Sequence, residues 1–222
     1  MAEVRVIHHR WSDKTPAPNG SAKATQTMAQ AARAVTVPEI VAIVSSTGGP
    51  AALNRILQRL PGDFALPIVI IQHIAADFLP SLVEWLSGVT PLAVKIAEAG
   101  ERPEPGTVYF APGDKHLALT AAKRFDCSVQ YESRHIPSGD VLLESVAQHY
   151  REHAIGVILT GMGRDGASGL LSMRDTGALT IAQDEASSIV YGMPYEAANL
   201  NAAQHVLALT EIPEILIGLA KA

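Results

Sequence analysis

The chain has 222 residues, 48% of them hydrophobic and 18% charged, with 17 basic residues against 22 acidic ones for a net charge of −5. That length holds one domain with a substantial core, the composition excludes wholesale disorder, and the acidic balance argues against nucleic acid as a partner of the folded part. The single cysteine, Cys127, excludes an internal disulfide and a four-cysteine zinc site and fits a cytoplasmic compartment, while no apolar run is long enough to insert in a membrane and the amino terminus lacks the apolar core of a secretory signal.

Residues 1–37 differ from the rest, being rich in Ala, Thr, Gln, Ser and Pro and carrying Arg5, Arg10, Lys14, Lys23 and Arg33 against only Glu3 and Asp13. They read as a flexible, mildly basic arm, with the folded domain occupying 38–222. His8-His9 has no further ligands nearby and reads as solvated.

The domain is organised around Ile40-Val41-Ala42-Ile43-Val44-Ser45-Ser46-Thr47-Gly48-Gly49-Pro50 and the apolar-periodic run Ala51 to Leu60. The unbroken aliphatic run predicts a buried parallel strand, the glycines a sharp turn, and Leu53, Ile56, Leu57 and Leu60 a helix with Pro50 in its first turn. Leu66 to Ile71 is a second buried strand ending in Gln72-His73, and Asp77 to Gly88 a short helix with Phe78, Leu79, Leu82, Trp85 and Leu86 on its inner side. Between about 92 and 133 the period changes to two, through Val94-Lys95-Ile96, Thr107 to Phe110, His116 to Leu119 and Cys127 to Tyr131, which predicts an antiparallel meander. Helix follows at 140–153, strand at 155–159, helix at 166–175, strand at 178–182, helix at 194–199, strand at 205–209 and helix at 211–220. The alternation predicts an α/β fold: a doubly wound, mainly parallel, Rossmann-like sheet with helices on both faces and the meander attached.

Three strand ends carry polar groups: Ser46-Thr47, His73, and Thr160-Gly161-Met162-Gly163-Arg164-Asp165-Gly166. In a parallel sheet these ends share one edge, so a hydroxyl, an imidazole and a carboxylate can meet as a serine-hydrolase triad, with Ser46 attacking, His73 carrying the proton and Asp165 orienting the imidazole. Each residue also has a plainer reading: Ser46 and Thr47 as a helix cap or phosphate cradle, His73 as a core histidine, and Asp165 as the cap of the next helix. His149-Tyr150-Arg151-Glu152-His153 matches the H-x-x-E-H zinc pattern, but it falls in the last turn of a helix, where histidines suit the dipole and face solvent. No metal site is assigned.

Several segments together resemble the catalytic domain of the chemotaxis protein-glutamate methylesterases, in order and approximate spacing, from about Ile40 to the C-terminus. They are Ser46-Thr47-Gly48-Gly49-Pro50, Gln72-His73, Ala111-Pro112-Gly113-Asp114-Lys115-His116, Thr160 to Gly166, Ile181 to Ser187, and Tyr191-Gly192-Met193-Pro194. The resemblance implies a serine esterase that removes methyl groups from γ-glutamyl methyl esters on the cytoplasmic domains of methylated chemoreceptors, releasing methanol, often with deamidation of receptor glutamines. It implies Ser46 as nucleophile, His73 as base and Asp165 as its partner, with Thr47 assisting and Met162 lining the site and contributing its backbone to the oxyanion hole. It implies no metal and no cofactor.

Two departures stand out. The family usually has Gly-Ala where Val44-Ser45 precede Ser46, and Arg-Pro-Ser-Val-Asp where this chain has Ile136-Pro137-Ser138-Gly139-Asp140. Family members commonly carry an amino-terminal receiver domain, which needs on the order of a hundred residues; the arm is too short for one. Control is then absent, supplied in trans by a separate receiver or kinase partner, or lost from a fragment. These departures also motivate an alternative, a receptor-binding or regulatory module with weakened catalysis. A nucleotide site at Ser46 to Gly49 is disfavoured by the lack of a Walker lysine.

Overall fold

Every residue of three strands, β1 (Ile40–Ser45), β2 (Ile68–Gln72) and β7 (Ala154–Ile158), is buried, as expected of strands covered on both faces. The computed structural model describes residues 37–133 and 135–221. With β3 (Ala93–Ile96), β4 (Thr107–Phe110), β8 (Leu179–Gln183) and β9 (His205–Leu207), they form a sheet of order β3-β4-β2-β1-β7-β8-β9 in which every pairing is parallel. The amino-terminal arm, apart from Val37, lies outside the described residues.

Alternation along β1 divides the core. Val41 and Ile43 pack with α1 (Gly49–Leu57), α2 (Leu79–Ser87) and α6 (Ile212–Ala220), whereas Ile40, Ala42 and Val44 pack with α3 (Gly139–Tyr150), α4 (Ala167–Asp175) and α5 (Met193–Asn199). The chain builds outward from β1 to one side and then returns through β7 to the other. That reversal opens a crevice at the carboxyl ends of β1 and β7, where open α/β sheets place their ligands.

The antiparallel part is smaller than the period-two pattern suggests. Among the described residues only β5 (Ala118–Leu119) and β6 (Phe125–Asp126) pair antiparallel; β3 and β4 join the main sheet in parallel, and Cys127 to Tyr131 form no strand. Phe78 and Trp85 point outward, 64% and 45% exposed, because Phe78 ends a 3₁₀ turn and the buried stripe of α2 is Leu79, Leu82 and Leu86. In the H-x-x-E-H segment, His149 lies in the last turn of α3 while His153 Nδ1 bonds the Val37 carbonyl at 3.0 Å, and among the described residues no three His, Cys, Asp or Glu side chains cluster as metal ligands.

Candidate active site

Strand register brings the first two residues together. Ser45 lies opposite Gln72 in the β1–β2 ladder, so Ser46 and His73 leave adjacent strands side by side, and the His73 N–H donates to the Ser45 carbonyl at 2.9 Å. Gly48, in the left-handed region at φ 83°, turns the chain into α1, a conformation that a side chain would strain. Among the described residues no side chain caps this helix, and the Ser46 hydroxyl has no hydrogen-bond partner. The helix-capping reading of the turn therefore fails. Ser46 is partly exposed and Thr47 exposed, whereas Ser45 is fully buried and donates its hydroxyl to Gln72 Oε1 at 2.7 Å.

Gln72 anchors the turn. Its Nε2 donates to the carbonyls of Ser46 and His73, both at 2.9 Å, while Oε1 receives Ser45. A buried amide with such partners fixes the backbone on which the hydroxyl and imidazole are carried.

Asp165 arrives from the loop after β7. Its Oδ2 accepts from His73 Nε2 at 2.8 Å and from the Gly139 N–H at 2.5 Å, and its Oδ1 accepts from the Ser138 hydroxyl at 2.7 Å. The carboxylate thus caps the start of α3 from another segment, beside the positive end of that helix. It does not cap α4, whose N-cap is Gly166 without a side-chain bond. Burial by itself opposes ionisation of Asp165, but the bonds from His73, Gly139 and Ser138 outweigh it and hold the carboxyl below its ordinary value. With Nε2 engaged, His73 keeps one nitrogen, Nδ1, buried and, among the described residues, without a partner. The imidazole also stacks on His135, with ring centroids 4.6 Å apart and planes 15° from parallel.

The loop after β7 closes the other side. Thr160 Oγ1 donates to the Thr47 carbonyl at 2.9 Å and accepts from the Val190 N–H at 2.9 Å, while its own N–H donates to Gln183 Oε1 at 2.9 Å. The Gly161 carbonyl receives the N–H groups of Gly192 and Met193. A Cβ on Gly161 would lie 2.8 Å from Ser46 Cβ, which measures how closely this loop approaches the turn. Met162 is 70% exposed, and among the described residues neither its N–H nor that of Thr47 meets an acceptor. Beyond Gly48 opens a pocket of about 280 Å³ bounded by Ala52, Arg55, Gln183 and Ile189.

A family model described as CheB methylesterase matches residues 41–216. The chain belongs to the CheB methylesterase family. It is 46% identical, over 98% of its length, to protein-glutamate methylesterase/protein-glutamine glutaminase 2 of Cupriavidus metallidurans, and 47% identical, over 89%, to enzyme 1 of that name from Burkholderia lata. It spans 62% and 59% of those two proteins. The CheB methylesterase catalytic domain of Thermotoga maritima superposes with a TM-score of 0.77 at 41% identity, covering 83% of this chain and all of that one.

In this CheB-family chain the structure gathers all five residues singled out from sequence at one sheet edge: Ser46 and Thr47 on the turn after β1, His73 after β2, and Met162 and Asp165 in the loop after β7. Sequence reasoning left without roles Gln72, Thr160, Ser138 and Gln183, which supply the bonds that hold these segments, and His135. Gln72, Thr160 and Gln183 lie inside segments that carry the family resemblance, and that was the available signal.

Proposed function

We propose that the chain is a serine esterase acting on γ-glutamyl methyl esters of chemoreceptor cytoplasmic helices. The observation that carries the reading is His73, half-buried, bonded through Nε2 to an ionised Asp165, with a bare Nδ1, at the end of the strand next to the one that carries Ser46. In this mechanism Nδ1 takes the Ser46 proton as Oγ attacks the γ-carbonyl, and the oxyanion is met by the free N–H groups of Thr47 and Met162. Asp165 stabilises the imidazolium without taking its proton. His73 then protonates the departing methoxide, releasing methanol and leaving a γ-glutamyl ester on Ser46. Water, deprotonated by His73, hydrolyses that ester to glutamate and regenerates the hydroxyl. The same steps on a glutamine amide release ammonia, as the dual names of the relatives suggest.

No metal or cofactor enters this scheme. The place of action is the cytoplasm, where such receptor domains lie; no described helix is long and apolar enough to cross a membrane. The weakened-module alternative gains no support, since Val44 is accommodated against Gly139 and Ser46, His73 and Asp165 lie at one sheet edge. Methanol release from a methylated receptor fragment, compared between this protein and Ser46→Ala, tests the proposal: release abolished by the substitution is expected, and equal release from both removes Ser46 from the mechanism.

A further inference from the structure

Between β6 and α3, the described residues 128–133 and 135–137 carry no helix or strand. Among the described residues, their hydrogen bonds link positions only two apart, such as Gln130 to the Ser128 carbonyl and the His135 N–H to Ser133 Oγ, with a single exception. The exception is His116, only 5% exposed, in the loop between β4 and β5. Its Nε2 lies 3.1 Å from the Tyr131 carbonyl, and its Nδ1 accepts the N–H of Ser138, also at 3.1 Å. One imidazole therefore grips both ends of the segment.

What it holds is the support of the site. Ser138 is fully buried, and its hydroxyl and the next N–H, from Gly139, are donors to Asp165. His135, within the gripped segment, stacks on His73. The Ser138 N–H precedes the helix and would be a buried orphan without His116. Since a backbone N–H can only donate, Nδ1 must be unprotonated, and the bond to the Tyr131 carbonyl then requires the proton on Nε2.

We propose that His116, as the neutral Nε2–H tautomer, is a positioning residue that sets Asp165 and His73 by clamping Tyr131 and Ser138. This rests on the reading of Ser46, His73 and Asp165 as a triad, but its test does not depend wholly on activity. Nitrogen-15 NMR of the full chain should show His116 with a proton on Nε2 and a bare Nδ1; a proton on Nδ1 at neutral pH overturns the proposal. His116→Asn keeps an acceptor near the Nδ1 position, whereas His116→Gln extends toward Tyr131 and removes it. The Asn variant should keep the low-field proton of the His73–Asp165 bond and react with a serine-directed fluorophosphonate at close to the wild-type rate. The Gln variant should lose that signal and label at least about tenfold more slowly, the scale expected when reacting groups shift by a fraction of an ångström. A folded Gln variant with the wild-type signal and labelling rate overturns the proposal. If that variant does not fold, the wild-type tautomer decides. A wild-type protein that takes no label overturns the triad reading, while the tautomer and low-field proton still decide the role of His116.

Discussion

Val44 fills the space that a side chain at Gly139 would occupy: a Cβ built on Gly139 would stand 2.5 Å from Val44 Cγ1 and 3.1 Å from Asp165 Oδ2. The family pattern has glycine at the first position and valine at the second, so one residue of each departure takes part in a single exchange of volume across the β1–α3 contact, while Ser45 and Ile136 stand outside it. Gly139→Val alone should overpack this core by about 1–3 kcal/mol and push the Gly139 N–H away from Asp165. Val44→Gly alone should cost roughly 2–4 kcal/mol through a cavity and a flexible residue in a central strand. The double variant should recover much of the sum. Urea denaturation of the four proteins checks this, and strict additivity would contradict the exchange.

Ser45 and Ser46 are adjacent hydroxyls with opposite surroundings. Ser46→Ala should lower ester turnover by roughly 10⁴- to 10⁶-fold with little change in folding stability. Ser45→Ala removes a buried donor to Gln72 and should cost about 0.5–1.5 kcal/mol while leaving the labelled residue unchanged. Peptide mapping after fluorophosphonate treatment distinguishes them; a label on Ser45 would reverse the assignment.

The Asp165 carboxyl is held below the ordinary 3.8. A group depressed in the folded state contributes stability that is present above its unfolded value and lost as pH falls through the folded one. Wild-type stability should therefore fall as pH drops below about 4, with part of the slope due to this residue. Asp165→Asn should flatten that part of the acid limb. Urea midpoints measured from pH 6 downward test it; parallel curves would mean that Asp165 does not titrate with folding.

Gln72→Leu would strip partners from the Ser45 hydroxyl and from the carbonyls of Ser46 and His73. The expected loss is on the order of 3 kcal/mol, together with slower labelling of Ser46, because the turn and the imidazole share this anchor. Gln72→Glu keeps an acceptor for Ser45 but faces two carbonyls with an anion, and should be no better. Thermal melts alongside labelling rates would show whether both fall together.

The central strands were legible because an unbroken aliphatic run suits a strand covered on both faces and little else, and the three polar strand ends followed from parallel geometry. The edge was not. Ala93–Ile96 is only partly buried, and a half-exposed strand shows the same alternation whether its neighbour runs parallel or antiparallel. Direction depends on the crossover between β3 and β4, which no local pattern records. Asp165 was readable by position, whereas Ser138 and His116 were not. Their bonds span 27 and 22 residues, respectively, and join loops whose proximity exists only after folding.

The three strands that present Ser46, His73 and Asp165 are also the most deeply covered. β1, β2 and β7 form the middle of the sheet, so their amides should exchange with deuterium only when the whole domain opens, while β3 and β9 at the edges exchange through smaller fluctuations. The site therefore stands on the last part of the molecule to yield to heat or denaturant. Partial unfolding that frays the sheet edges leaves the strand ends carrying Ser46 and His73 in register, so the proposed ester hydrolysis should persist until the cooperative melt.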